Sequence, residues 1–276
     1  DVTPRIDMLR PGYHKRKDPS LSRWAVLSQD DALGVSSQAW EVGSALAEGW
    51  DVVYDEHYSL ETVDFAPVVT AVLATNPDVV SLNLSYPDFV VSIIEQLYVQ
   101  GYTGEISGNY LDSESILTKV PASFIEGQVD SFPLMDDPHW GFGSNQANFA
   151  ANWTARFGPG GPEDKKRAMN GIDWDHVIML EVWAKGVQHA CSFEADDVMA
   201  SLHSMGEMET LLGSGAFAGA DMFGINNMIA TPVPINESRN GVKRVQEVVD
   251  FAAWFAPHSE EIIAHVRSKG LMYDQQ

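Results

Sequence analysis

Residues 62–85 constrain the fold more than any other part of the chain, because they combine an amphipathic helix pattern with a buried strand. Apolar side chains recur at the i, i+3, i+4, i+7 and i+8 spacing of one helix face over residues 65–73. The Asn76-Pro77 pair predicts the end of this helix. Residues 79–84 then form a short apolar run, as in parallel strands that are buried on both faces. The stretch therefore predicts one helix followed directly by a central strand.

A second helix follows this strand at once, and the alternation recurs along the first half of the chain. Pro87 and Gly101 are typical residues for the two ends of a helix, so we predict a helix over 87–101. Helix, strand and helix in short succession indicate an α/β sheet with parallel strands. Further strands are predicted at 24–27, 51–54, 104–107 and 127–132, with a helix that ends at Gly49 and another at 112–119. About five β-α units with short links predict a doubly wound sheet.

The second half of the chain has a different pattern. Loops around one short helix are predicted over 133–170, and a long helix over 173–190. The polar stripe of the long helix contains only Glu181, Lys185 and Gln188, so we expect this helix to be largely buried. The remaining elements are predicted as helices at 195–203 and 207–212, a glycine-rich loop at 213–224, strands at 232–235 and 242–249 joined by an Asn-Gly turn, and a helix at 259–268.

The charge balance excludes two classes of partner. The chain contains 17 Lys and Arg against 39 Asp and Glu, which gives a formal net charge of -22 and argues against nucleic acid and anionic membrane surfaces. Basic residues nevertheless cluster within residues 1–22, and we interpret that segment as an extended, solvated connection. Cys191 is the single cysteine, which excludes an internal disulfide, and it is expected to be a small core residue. No apolar run reaches the ~18 residues of a transmembrane helix.

Several of these patterns together resemble a known family. The pattern is Asp64-Phe65, then Val69, then residues 77–80, then Tyr86 and a helix that ends at Gly101. It is similar to the second lobe of the type 1 periplasmic solute-binding proteins, and the nearest subgroup is the branched-chain amino acid (Leu/Ile/Val) binding proteins of ATP-driven importers. The similarity extends over residues 24–34 and Gly108, and more loosely over 173–175 and 232–234. The resemblance implies an α/β fold of the type 1 periplasmic-binding kind, with doubly wound parallel sheets in two lobes joined by a hinge.

The resemblance also implies a division of the chain. Residues 24–168 and 238–276 would form lobe two, residues 169–237 the returning part of lobe one, and residues 1–23 a connecting segment. The opening stretch of the family, which supplies most of the sheet of lobe one, has no counterpart in this sequence. We therefore expect either a fragment or a chain that is completed by another polypeptide. The long helix would then expose apolar side chains at Val177, Leu180, Ala184 and Val187.

Ligands in open α/β sheets bind at the carboxyl ends of the strands, where helix N-termini offer free N–H groups. The resemblance implies that the loops at 28–33, 85–88 and 108–112 form lobe two's wall of a ligand cleft. Tyr86 matches an aromatic residue that touches the ligand, and Leu33 lies where the family often has an aromatic. Tyr110 lies where a carboxylate commonly holds the ammonium group of the ligand. Asp112 either replaces that carboxylate or caps its own helix, and the cap is favoured.

Three further residues complete the candidate ligand contacts. Ser85 and Asn109 belong to the same loops as the two tyrosines. Trp174 lies at the start of the long helix, near an expected crossing between the lobes. For Trp174 a core aromatic is the alternative.

Signals for catalysis are absent from the sequence. The histidines show no H-E-x-x-H spacing, no G-x-S-x-G elbow has the required context and no P-loop lysine is present. We therefore expect no enzyme activity, no metal and no cofactor. The resemblance instead implies a solute-binding protein of an ATP-driven importer, periplasmic or lipid-anchored outside the cell, that closes a hinge over a ligand and docks on a membrane permease. A ligand-sensing regulatory domain of the same fold is the alternative.

The loops also suggest a class of ligand. Helix N-termini after Ser28 and Ser85 can receive an anion, so the ligand is expected to carry a carboxylate. Leu33, Tyr86 and Tyr110 would contact an apolar or aromatic body. An amino acid or a small aromatic or aliphatic acid satisfies both conditions.

Overall fold

The structure is a computed structural model that describes residues 3–108, 113–134, 144–158, 160–162 and 171–275. The described chain divides into two compact units. The N-terminal unit comprises Val2–Ser131, Ile235–Arg244 and Ala253–Gln276, and the central unit comprises Phe132–Pro234 and Val245–Ala252. The division into lobes that the resemblance implies stays a prediction.

Strands and helices alternate through the N-terminal unit, as the hydrophobic pattern predicts. They are α1 (Thr3–Met8), α2 (Arg10–Lys17), β1 (Arg23–Gln29), α3 (Ala32–Ala47), β2 (Asp51–Tyr58), α4 (Ala66–Leu73), β3 (Val79–Leu82), α5 (Pro87–Val99), β4 (Glu105–Gly108), α6 (Ser113–Leu117) and β5 (Val129–Asp130). A short 3-10 turn at Ala122–Phe124 lies between α6 and β5.

The central unit and the returning segments follow. The described elements are α7 (Ser144–Phe157), α8 (Gly171–Ala190), α9 (Ala195–Ser204), β6 (Met208–Thr210), β7 (Gly213–Ala218), α10 (Ala220–Phe223), β8 (Met228–Ala230), β9 (Val233–Arg239), β10 (Val242–Val249) and α11 (Phe251–Ser268). Asn240 and Gly241 join β9 to β10 with φ values of 54° and 75°, the left-handed conformation that a two-residue hairpin turn of this kind requires.

A seven-stranded sheet in the order β10-β9-β5-β4-β3-β1-β2 organises the chain. Its five strands from β1 to β5 are parallel, and β9 pairs antiparallel with β5. The middle strand of the five parallel ones is β3, in which all four residues are buried. Apolar residues of β1, β3 and β4 pack with α4 and α5 into one core, and Trp24, Val26 and Trp50 belong to a second apolar cluster. The strand and helix predicted from residues 62–101 are confirmed, except that Tyr98 is exposed.

The N-terminal segment is folded, so the interpretation of residues 1–22 as an extended, solvated connection is wrong. Helices α1 and α2 lie there, and α1 packs on α3. Arg10 and His14 are fully buried. Their side chains have distant acidic partners: Arg10 contacts Glu41 at 3.0 Å, and His14 contacts Glu105 at 2.6 Å. A count of basic residues cannot show such partners, which is why the sequence suggested solvation.

Part of the central unit also differs from the sequence prediction. The helix predicted at 207–212 is strand β6, and the predicted glycine-rich loop contains β7 and α10. Strands β6, β7 and β8 form an antiparallel sheet, where the resemblance implies a parallel one. Helix α8 is not largely buried either, because Met179, Leu180 and Trp183 are exposed. Cys191 is exposed instead of lying in the core.

Within the described residues, none of the helices is both long and apolar enough to cross a membrane.

Candidate functional site

The candidate site lies at the carboxyl edge of β2, β1 and β3, three neighbouring parallel strands of the N-terminal unit. Parallel strands end at the same edge of a sheet, so the three loops that follow them share that edge. These are residues 30–31 after β1, residues 59–65 after β2 and residues 83–86 after β3. Tyr86 is the last residue of the loop after β3, and Leu33 lies two residues beyond the loop after β1.

Gln29, the last residue of β1, joins two of these loops. Its side-chain oxygen accepts a hydrogen bond from the Tyr86 N–H at 3.0 Å, and its amide nitrogen donates to Asp31 at 2.7 Å. The other carboxylate oxygen of Asp31 accepts from the Gly34 N–H at 2.7 Å, so Asp31 caps α3. Gln29 is buried although it lies at the edge of the sheet.

Backbone contacts hold the same loop from two further directions. The Asp30 N–H donates to the Tyr58 carbonyl at the end of β2, at 2.8 Å. A Cβ atom at Gly34 would lie 2.1 Å from the Gln29 carbonyl oxygen, so the turn after β1 closes only because this residue has no side chain. The loop after β1 is therefore tied to both of its neighbours.

Tyr86 is the exposed member of a group of aromatic rings. Its ring lies 5.8 Å from that of Phe89, which in turn lies 5.7 Å from Tyr58 and 5.4 Å from Phe65. Tyr58 and Phe65 are buried in the core beneath. Burial raises the pKa of the Tyr58 hydroxyl, with the Ser85 hydroxyl acting in the opposite direction, so the phenol stays neutral near neutral pH. The Tyr86 ring thus packs on Phe89, which is itself packed against two buried aromatic rings.

The surface of this edge is apolar and acidic. Four large apolar side chains are exposed there: Leu33, Leu60, Val63 and Tyr86. The three loops contain four carboxylates and no Lys or Arg: Asp30, Asp31, Glu61 and Asp64. A fifth carboxylate, Asp88, lies in the first turn of α5. An apolar body could lie on the first group, and a positively charged end would be attracted by the second.

The helix ends at this edge are not equivalent. Helix α3 already holds the carboxylate of its own Asp31, which uses one of the N–H groups that an anionic ligand would need. Helix α5 begins after Tyr86 without a side-chain cap. Of the two helix ends that were expected to receive an anion, only the one after Ser85 lacks a side-chain cap, although Asp88 adds a carboxylate to its first turn.

The structure brings together three of the seven predicted ligand contacts. Tyr86 and Leu33 are exposed at the carboxyl edge, while Ser85, in the same loop as Tyr86, is buried. Trp174 lies in the core of the central unit with its ring 5.4 Å from that of Phe149. Its burial matches the alternative of a core aromatic, and a ligand contact by Trp174 stays a prediction.

The other three predicted contacts are Asn109, Tyr110 and Asp112. They lie outside the described residues.

Sequence reasoning missed Gln29, Leu60 and Val63. The loop after β2 was not considered because the predicted strand ended at 54, whereas β2 continues to Tyr58. The signal for the longer strand was weak, since its second half is acidic and polar. Gln29 falls within the predicted loop at 28–33, and nothing in the sequence shows that its side chain reaches two loops.

A buried polar network supports the site from below. Arg10 is paired with Asp7 and Glu41 at 3.0 Å each. Glu41 also accepts a hydrogen bond from Asn83, the residue directly after β3. The Asn83 side chain in turn accepts from the Leu84 N–H at 2.6 Å. The network therefore links α2 and α3 to the loop that carries Tyr86.

Among the described residues, no group of three or more His, Cys, Asp or Glu side chains is placed to hold a metal ion.

A family model described as periplasmic binding protein matches residues 8–238. None of the curated protein sequences compared with the chain matches it.

Solved structures with the same fold include amino acid binding proteins. A leucine binding protein from Thermotoga maritima aligns with a TM-score of 0.72 at 15% identity, over 90% of this chain and 66% of that one. A leucine-, isoleucine-, valine-, threonine- and alanine-binding protein from Brucella ovis aligns with a TM-score of 0.72 at 15% identity, over 91% of this chain and 63% of that one.

A third structure was solved with an aromatic acid. It is a solute binding protein of an ABC transporter from Rhodopseudomonas palustris in complex with 3,4-dihydroxybenzoic acid. Its TM-score is 0.68 at 14% identity, over 90% of this chain and 65% of that one. The chain thus spans less than two thirds of the length of the Brucella and Rhodopseudomonas proteins and 66% of the Thermotoga one. These matches confirm the α/β fold of the type 1 periplasmic-binding kind.

Proposed function

The chain belongs to the periplasmic binding protein family, and on that premise we propose that it binds a small solute for an ATP-driven importer. The solute is an apolar amino acid, held at the carboxyl edge of β2, β1 and β3 and trapped by closure of two lobes. The observation that carries this proposal is the exposed apolar edge that Gln29, Asp30 and Tyr86 hold together.

The charges of the edge support an amino acid over a simple anion. Four carboxylates lie in its loops and a fifth, Asp88, lies in the first turn of α5, with no Lys or Arg among them, so an ammonium group is attracted there and a lone carboxylate is repelled. The carboxylate of an amino acid can approach the uncapped start of α5. Screening at physiological salt limits the general negative charge of the protein to a range of about 8 Å, so the nearest groups decide.

Aromatic acids are the second candidate class, because of the ring group under Tyr86. A flat aromatic ligand could stack on Tyr86, whose ring is backed by Phe89 at 5.8 Å. The solved relative with 3,4-dihydroxybenzoic acid supports testing this class.

The partner and the location follow from the same family. We propose a membrane permease of an ATP-driven importer as the partner and the periplasm, or the outer cell surface, as the location. A ligand-sensing domain is the competing function, and it would bind the same solutes without stimulating transport. Solute-dependent uptake by the permease, reconstituted in vesicles, separates the two.

The ligand class can be tested directly by calorimetric titration of the full chain. The panel contains L-leucine, L-isoleucine, L-valine, 3,4-dihydroxybenzoate, a polyamine and a neutral sugar. We expect binding of the apolar amino acids, with the aromatic acid as the next class. Binding of the polyamine or the sugar alone would mean that the solute class is wrong.

A further inference from the structure

We infer that Gln29 is a positioning residue for the ligand: its side chain fixes the backbone of Tyr86 against the loop that follows β1. The inference rests on the proposed function, since it concerns the same edge of the sheet. Gln29 itself is buried, so it acts through Tyr86 and Asp31 and not by touching the solute.

The two hydrogen bonds of Gln29 define what kind of side chain the position accepts. The Tyr86 N–H can only donate, so it requires an acceptor, which the Gln29 carbonyl oxygen supplies at 3.0 Å. The Asp31 carboxylate can only accept when ionised, so it requires a donor, which the Gln29 amide nitrogen supplies at 2.7 Å. A glutamate could not donate to Asp31 when ionised, and a lysine could not accept from Tyr86.

The two hydrogen bonds of Gln29 form a bridge between Asp31 and Tyr86, which are otherwise separate parts of the edge. Asp31 is the cap of α3 and holds the start of that helix through the Gly34 N–H. Tyr86 is the residue before α5, which has no side-chain cap of its own. Gln29 therefore couples the starts of two helices that face the proposed ligand. The Tyr86 ring rests on Phe89, so backbone and ring are both held before any solute arrives.

Such prior ordering raises affinity because the free protein does not have to order the loop on binding. Replacing Gln29 keeps the Tyr86 ring in the protein, but the Tyr86 N–H loses the hydrogen bond that fixes this part of the backbone. We expect this to weaken binding about tenfold, the effect of one lost interaction of about 1.4 kcal/mol.

The first variant is Gln29→Met, which keeps the length of the side chain and removes both hydrogen bonds. A matched control is Gln100→Met, because Gln100 also makes two hydrogen bonds, with Thr70 at 2.9 Å and Ala66 at 3.1 Å, but lies at the other end of α5. Gln29→Met should lose more stability than Gln100→Met, because Gln29 is buried whereas the bond between Gln100 and Thr70 is exposed. Amide hydrogen exchange over residues 83–89 of the ligand-free protein should become faster in Gln29→Met only.

The second variant is Gln29→Glu, which keeps the acceptor and replaces the donor by a carboxylate facing Asp31. Near neutral pH the two carboxylates repel each other, and at lower pH a protonated carboxyl group can donate to Asp31 again. We expect residues 83–89 of Gln29→Glu to exchange faster than those of wild type at pH 7.5, and at about the wild-type rate near pH 5. If only the volume of the Gln29 side chain mattered, and not its donation to Asp31, no such recovery would occur.

The affinity measurement uses L-leucine and 3,4-dihydroxybenzoate with both Met variants. Binding about tenfold weaker in Gln29→Met, with Gln100→Met like wild type, supports the inference. Unchanged exchange over residues 83–89, or faster exchange with unchanged affinity, overturns it. If neither probe binds the wild-type protein, the proposed solute classes are wrong. The hydrogen exchange of residues 83–89 and its pH dependence then still show, without a ligand, whether Gln29 holds the Tyr86 backbone.

Discussion

The guanidinium group of Arg10 donates to the Glu41 carboxylate at 3.0 Å, and both side chains are completely excluded from solvent. Asp7 pairs with the same guanidinium group from the neighbouring helix. Burial lowers the pKa of Arg10, but Glu41 and Asp7 more than offset this, and its pKa is raised. The contact joins a segment with no apparent structure in the sequence to the helix that follows β1.

The first prediction concerns the energy of that contact. Arg10→Met should lower the free energy of unfolding by about 3–5 kcal/mol, because it leaves Glu41 and Asp7 buried without their cation. Urea denaturation measures the change. Lys119→Met is the matched control, since its 3.2 Å pair with Glu95 is solvent-accessible, and we expect a loss of less than about 1 kcal/mol there. Similar losses in the two variants would contradict the buried network.

The second prediction concerns the pH dependence of stability. Burial lowers the pKa of His14 below its ordinary value of 6.5, although Glu105 acts in the opposite direction and Lys17 and Arg10 act in the same direction as burial. The unfolded chain therefore binds this proton at a higher pH than the folded one, so stability falls as the pH drops below about 6.5.

A variant isolates the contribution of His14. His14→Gln keeps a hydrogen-bonding group beside Glu105 but does not titrate, so its unfolding free energy should fall less between pH 7.5 and pH 5.5. His265, whose pKa burial also lowers, remains in both proteins and cancels in the comparison. Parallel curves of unfolding free energy against pH would show that His14 does not contribute.

The third prediction tests Tyr86 as a ligand anchor. Tyr86 is 49% exposed, so Tyr86→Ala should leave stability nearly unchanged and weaken solute binding by about 1–3 kcal/mol. Tyr98→Ala is the control, because Tyr98 is 44% exposed but lies about 18 Å further along α5. Titration calorimetry with L-leucine measures both variants. Equal affinities in Tyr86→Ala and wild type would remove Tyr86 from the site.

The fourth prediction tests which face of α8 is buried. Leu180 is 67% exposed and Ile178 is 4% exposed on the same helix. Leu180→Glu should change the free energy of unfolding by less than about 0.5 kcal/mol, whereas Ile178→Glu places a charge in the core and should prevent stable folding. Circular dichroism during heating separates the two. A large loss in Leu180→Glu would mean that Leu180 is covered in solution.

The sequence predicted the parallel sheet well because its strands are locally encoded. Helix α5 carries the hydrophobic period of one helix face, and strand β3 is a short continuous apolar run bounded by Pro77 and Pro87. The exposed Tyr86 could also be found, since a residue that closely follows a buried strand lies at the edge of the sheet, whereas Leu33 was identified only by its position in the resembled family.

The errors share a physical cause, namely partners that are distant along the chain. Helix α2 contains Pro11 and Gly12 and several charges, and it is stabilised by Glu41 and Glu105, which no local pattern reveals. Strand β7 begins with two glycines within three residues, a poor strand signal, and gains its hydrogen bonds from β6 and β8. Gln29 belongs to the same class, because its two partners become neighbours only after the sheet has formed.

Strand β5 pairs with β9, and this pairing has a consequence for how the protein is made. Asp130 and Asn236 form a hydrogen bond across 106 residues of intervening chain. Ribosomes add roughly 5–20 residues per second, so β5 leaves the ribosome several seconds before its neighbour exists. During that interval β5 is an open edge of the growing sheet, on which another nascent chain could pair. The sheet is therefore completed only after β9 has been synthesised, and a rapid return of β9 to β5 shortens the time during which this edge is open.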